Sequence, residues 1–210
     1  MERAQFAGEF TRWSLARARV DQQTLAALTS QVLPVSVNIS GQLLADEAFV
    51  RFLGAAVGGD PTIELEITET AVIDNPDDGL ANLDRLAQAG VRIIIDDYGT
   101  GLSSLAYLRR LPASELKIDK LFVMSIADNQ RDPLIVRSTI DLAHALGMKV
   151  TAEGVERRAT LELLRVMGCD FAQGYVIAPP LELPALVEWL ARSEPAVAAG
   201  PLDLRRLTSV

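Results

Sequence analysis

The chain has 210 residues, 49% of them hydrophobic, and a net charge of −8. That length supports one sizeable core rather than two large domains, and the negative field disfavours coating of DNA or RNA while leaving room for a small anion held by a local metal cluster. A single cysteine, Cys169, excludes an internal disulfide. No apolar run reaches the length of a membrane span and no charged-then-apolar leader opens the chain, so a cytoplasmic setting is expected.

The first segment, Ala4 to about Thr29, reads as a helix with an apolar stripe of Phe10, Trp13, Leu15, Ala16 and Val20. Short β-rich runs then alternate with helical stretches. Val35–Ile39 is followed by a helix near Asp46–Val57, and Ile63–Ile67 by one near Asp77–Ala89. Val91–Ile95 precedes Ser103–Arg110, Glu115–Ile118 precedes Pro133–Leu146, and Lys149–Ala152 precedes Arg157–Met167. A strand over Gly174–Ile177 and a helix over Leu183–Ala191 complete the series. The alternation predicts an α/β fold with a parallel sheet and crossover helices. Residues 1–192 form the expected domain. The Pro-, Gly- and Ala-containing segment 193–210 reads as a flexible tail.

Polar residues gather at the ends of these strands: Asn38, Glu66, Asp96 with Asp97, Lys117, Glu153 and Gln173. In a parallel barrel those ends share one rim, where the βα loops build the active site. Several acids in one pocket repel each other unless a cation offsets them. Oxygen donors without His or Cys suit Mg²⁺ or Mn²⁺, and a pair of such ions suits attack on a phosphodiester. Lys117 is placed to set a cation beside the phosphate or the attacking water. Each residue also has an ordinary reading. Asp97–Gly101 is a possible turn, Glu66 and Glu69 possible solvated acids, Lys117 a surface charge, and Glu153-Gly154 a left-handed turn. His144 reads as a helix-surface residue and Cys169 as a small buried apolar one.

The runs Val37-Asn38-Ile39-Ser40, Glu64-Leu65-Glu66-Ile67-Thr68-Glu69 and Asp96-Asp97-Tyr98-Gly99-Thr100-Gly101-Leu102-Ser103-Ser104-Leu105 resemble successive motifs of the EAL domain family. So do Leu116-Lys117-Ile118-Asp119, Ala152-Glu153-Gly154-Val155-Glu156 and Gln173-Gly174-Tyr175, in the same order and at similar spacing. The resemblance runs from about residue 8 to 192. It implies a TIM-like (β/α) barrel that hydrolyses cyclic di-GMP to the linear pGpG with divalent metal, two ions of Mg²⁺ or Mn²⁺. By similarity, Asn38, Glu66, Asp96 and Glu153 are metal ligands and Asp97 reaches a second metal. Lys117 helps bind and activate water, and Gln173 lies near substrate or nucleophile. Glu69 anchors the Asp-Asp loop, and Glu156 has a substrate-side or loop-stabilising role. Cyclic di-GMP, a second copy of the chain, and sensor domains of a parent protein are the implied partners.

The resemblance breaks at the start. The family's barrel opens with two strands, the second carrying a Glu-Ala-Leu-like run whose Glu binds metal. No Glu-Ala-Leu or Glu-Val-Leu precedes Asn38 here. The expectation is therefore a barrel missing its first two strands, open or completed by another chain, with impaired activity. A catalytically inactive cyclic di-GMP receptor or protein-interaction module is the alternative.

Overall fold

The computed structural model describes residues 2–29, 32–69, 76–99, 105–128, 131–197 and 207–208. Its elements in chain order begin with α1 (Glu2–Thr29), β1 (Val35–Ile39), a 3₁₀ turn (Gly41–Ala45), α2 (Glu47–Val57), β2 (Ile63–Thr68), α3 (Pro76–Gln88) and β3 (Arg92–Tyr98). They continue with α4 (Leu105–Leu108), β4 (Glu115–Ile118), α5 (Lys120–Val123), α6 (Asp132–Ala145), β5 (Lys149–Ala152), α7 (Arg158–Val166), β6 (Phe171–Ala172), α8 (Leu183–Val197) and β7 (Leu207–Thr208). The expected α/β alternation is present. All described strand pairs are parallel, in the order β6-β5-β4-β3-β2-β1-β7.

The central strands are apolar because both of their faces are buried. Ile93, Ile94 and Ile95 are all buried, as are Ile63, Leu65 and Ile67. Each such side chain contributes about 1.5–3 kcal/mol relative to exposure. Helix α2 shows the local logic. The Asp46 side chain caps it by accepting from the N–H groups of Ala48 and Phe49 at 2.9 and 3.2 Å. Phe49, Val50, Leu53 and Val57 then form its buried face.

Three expectations need correction. Of the expected α1 stripe, Leu15 is buried while Phe10, Trp13, Ala16 and Val20 are exposed; the buried face is Thr11, Leu15, Ala18, Gln22 and Leu25. The steps of three and four residues in the buried set follow one helical face. Phe6, Phe10 and Trp13 lie outside it and stack on one another, with centroids 6.4 and 5.9 Å apart. The strand that follows β5 is Phe171–Ala172, not Gly174–Ile177. There, N–H groups of Ile177 and Ala178 both donate to the Gly174 carbonyl, closing a turn where the β-rich run Tyr175–Ile177 suggested a ladder. Finally, the segment read as a tail from residue 193 gives its first five residues to α8, and Leu207–Thr208 pair with Val35–Ser36. Residues 198–206 and 209–210 lie outside the described ones, as do Ser103 and Ser104 at the start of the expected Ser103–Arg110 helix.

Candidate active site

Strand register builds the site. Asn38 pairs with Glu66, Thr68 with Asp96, and Lys117 with Thr151. Side chains two residues apart share a face. Asn38, Glu66, Asp96, Lys117 and the residue after β5, Glu153, therefore belong to one face and one end of the sheet.

A two-against-one irregularity between β3 and β4 supplies what alternation alone cannot. Ile95 pairs with Leu116 and Tyr98 with Ile118, so Asp96 and Asp97 together oppose Lys117. Such a bulge re-aims a side chain. Asp97 lies in the left-handed region at φ 55°, which Asp tolerates better than most residues. The result is that Asp96, Asp97 and Glu153 each present a carboxylate oxygen within 4.8 Å of the others. In a regular strand the two aspartates would face opposite sides.

Lys117 is the hub. Its side chain is 5% exposed, and its Nζ lies 2.6 Å from Glu153 Oε1, 3.0 Å from Glu66 Oε2 and 3.3 Å from Asp96 Oδ1. Burial opposes its charge, but Glu66, Glu153 and Asp96 prevail and raise its pKa. Burial likewise raises the pKa of Glu66 and Glu153, partly offset by Lys117. Asp97 is pushed up to about 6 by burial, by the Asp96 charge, and by Asp119, with Glu153 adding to the effect.

The supporting loops are tied by backbone contacts. Glu69 is buried, and its Oε2 accepts the Gly99 N–H at 2.9 Å, fixing the turn after β3. Glu153 N–H donates to the Ile118 carbonyl, and Gln173 N–H to that of Ala152 at 2.8 Å. Asn38 and Gln173 are exposed at the same rim. Glu156 is also exposed, on the loop after β5, with Arg157 as an electrostatic neighbour. His144 pairs with Asp170 at 2.7 Å, away from the cluster. Cys169 is buried, and burial pushes its thiol up to about 12, which makes it inert.

One member of the cluster had no role in the sequence reading. Asp119 is buried, accepts the Leu121 N–H at 2.7 Å as the cap of α5, and helps push the pKa of Asp97 up. Its position two residues beyond Lys117 was the available signal, because period-two spacing places both on one face.

The family model for the EAL domain matches residues 1–180. Cyclic di-GMP phosphodiesterase NbdA of Pseudomonas aeruginosa is 42% identical over 194 residues, 90% of this chain and 25% of that protein. The chain thus spans about a quarter of that relative's length. The EAL domain of Mycobacterium smegmatis DcpA superposes with a TM-score of 0.81 at 34% identity, covering 89% of this chain and 85% of that one. The PaMucR phosphodiesterase in complex with c-di-GMP gives 0.78 at 34% identity, covering 88% and 76%. A manganese/cy-diGMP complex of Klebsiella pneumoniae BlrP1 gives 0.69 at 29% identity, covering 81% and 45%.

Proposed function

Because the chain belongs to the EAL domain family, we propose that it is a cyclic di-GMP phosphodiesterase domain that yields linear pGpG. The observation that carries this reading is the convergence of Glu66, Asp96 and Glu153 on Lys117, with Asp97 close to Asp96 and Glu153. Carboxylates gathered so closely suit a hard divalent cation, and the oxygen donor set fits Mg²⁺ or Mn²⁺. Asn38, Glu66, Asp96 and Glu153 would hold one ion, with Asp97 serving a second; Asp119 joins Asp97 there. When bound, such a cation supplies charge stabilisation at the phosphate and lowers the pKa of water.

The chain's own groups do the rest. Glu153 and Asp96 orient the Lys117 ammonium, which adds positive charge beside the attacked phosphate and the incoming water. The new bond joins the water oxygen to phosphorus. The P–O bond to one ribose 3′ oxygen breaks, and that oxygen takes up a proton. Gln173, at the rim, is positioned for the substrate or the water. Glu69 holds the loop that carries Asp97 through Gly99.

A second reading has a specific observation behind it. Lys117 already engages Glu66, Asp96 and Glu153, the oxygens a cation would need, which favours a receptor that binds cyclic di-GMP without opening it. The test is to incubate the chain with cyclic di-GMP and Mg²⁺ or Mn²⁺, with a chelator control, and separate the nucleotides by chromatography. Cation-dependent pGpG supports the enzyme. Calorimetric binding of cyclic di-GMP without any product supports the receptor. Homodimerisation and coupling to sensor domains of a longer protein belong to the same proposal.

A further inference from the structure

We propose that Lys117 is a built-in competitor of the divalent cation, so that loading of the site is coupled to movement of its ammonium group. The inference rests on the metal-dependent reading above and concerns how that site is regulated.

An ammonium has three N–H donors and no acceptor. Lys117 Nζ lies within reach of three different carboxylates, at 2.6 Å from Glu153, 3.0 Å from Glu66 and 3.3 Å from Asp96. The four side chains are 5%, 18%, 2% and 14% exposed in the order Lys117, Glu153, Glu66, Asp96. Water can do little to screen them. Two of the three, Asp96 and Glu153, are also members of the set whose oxygens lie within 4.8 Å of one another together with Asp97. The oxygen donors that would hold a cation are thus already engaged by Lys117. Asp96 Oδ1 is further committed to the Asp97 N–H at 3.0 Å.

A small hard cation requires close oxygen contacts, roughly 2.0–2.1 Å for Mg²⁺. Drawing Asp96 and Glu153 toward such an ion lengthens at least one ammonium contact. The ion also repels the ammonium across the shared carboxylates, and that repulsion is strong where water is excluded. Lys117 therefore does two opposed things. It neutralises the acids and keeps them clustered, and it lowers the affinity of the cluster for the ion. A lysine with a merely structural role would do only the first, and its removal would leave cation affinity unchanged or weaker.

Lys117→Met keeps the aliphatic stem and removes the charge. Calorimetric titration with Mn²⁺ alone is expected to show binding roughly tenfold or more tighter than in the unsubstituted chain. In chelator the variant is expected to melt at a lower temperature, and Mn²⁺ is expected to raise its melting point further than it raises that of the original chain. Equal or weaker Mn²⁺ binding by a folded variant would overturn the inference. Should the variant fail to fold, a second measurement uses the unsubstituted chain. Its lysines are Lys117, Lys120 and Lys149, so isotope-labelled lysine gives few NMR signals. Addition of Mg²⁺ is expected to shift the Lys117 side-chain signals saturably and leave those of Lys120 and Lys149 in place. Mg²⁺ binding by calorimetry with a silent Lys117 refutes the competition alone. An unsubstituted chain that binds neither Mg²⁺ nor Mn²⁺ sinks the metal reading, and the competition with it.

Discussion

Lys117 and Glu153 sit 2.6 Å apart in a water-poor setting, so each supports the other's charge. If the proposed activity holds, Lys117→Ala or Glu153→Ala is expected to lower it at least about 100-fold, because Lys117 supplies positive charge beside the phosphate and Glu153 orients that ammonium and would hold the ion. Initial-rate measurement of pGpG formation checks this, and full turnover in either variant removes that residue from the chemistry. Lys117→Ala also leaves Glu66, 2% exposed, without its cation. Breaking a buried pair in this way costs roughly 3–5 kcal/mol, which chemical denaturation should read. Asp170 is the residue-scale contrast, structural rather than catalytic. Burial works against its charge, but hydrogen bonds from Lys149 and His144 and from the Val150 N–H outweigh it and lower its pKa. A carboxyl depressed on folding stabilises the fold above its unfolded pKa, and that contribution is lost as pH falls through the folded value. Asp170→Asn is therefore expected to cost about 1–3 kcal/mol at neutral pH. The gap should narrow as pH falls below about 4, which denaturation at pH 7 and pH 3.5 compares directly.

At the scale of elements, the site depends on turns that only particular backbones can make. Gly99 has φ +102°, and a Cβ there would lie 2.7 Å from the Phe122 ring. Gly154, directly after Glu153, has φ +67°, and its Cβ would lie 2.5 Å from that of Lys120. Gly154→Ala combines a left-handed penalty of about 1–2 kcal/mol with that overlap. It is expected to lower the melting temperature and to reduce activity by moving Glu153. Wild-type activity together with wild-type stability would show that this loop does not set the carboxylate's position. The β3 bulge works the same way. Without it, Asp96 and Asp97 would point to opposite faces of the sheet, and no amount of correct sequence lettering would bring both to Glu153.

The molecule as a whole is a parallel sheet read in a linear order, with β1 covered along part of its outer edge by β7. Pairing reaches Val35 and Ser36, while Val37–Ile39, the half that holds Asn38, lies beyond the described β7 contacts. Open strand edges recruit other strands. Deleting residues 198–210 is expected to lower the melting temperature and promote concentration-dependent association, measured by light scattering on a size-exclusion column. A truncated chain that stays monomeric and melts unchanged would show that β7 contributes nothing to the edge. Beside the same edge lies a cleft of about 520 Å³ between α1 and residues 180–186, lined in part by Trp13, Leu25, Val35 and Leu183. It lies outside the carboxylate cluster and is a separate feature. Among the described residues no helix is long and apolar enough to cross a membrane.

Much of this was legible in the letters. Consecutive apolar residues such as Ile93–Ile95 marked doubly covered strands, and β1, β4 and β5 have the bounds that their β-rich runs predicted. Strand ends carrying Asn38, Glu66, Asp96, Lys117 and Glu153 pointed to one rim because parallel strands finish on the same side. Elsewhere local pattern misled, since propensity does not know what lies opposite. The aromatics of α1 looked like its core face, and Tyr175–Ile177 looked like a strand. The sequence by itself determined the alternation of elements and the identity of the charged groups, through short-range periodicity. Only the tertiary structure decided which carboxylates touch, because that depends on register between strands distant in the chain, on one bulge at Asp96–Asp97, and on a buried ammonium that three acids share.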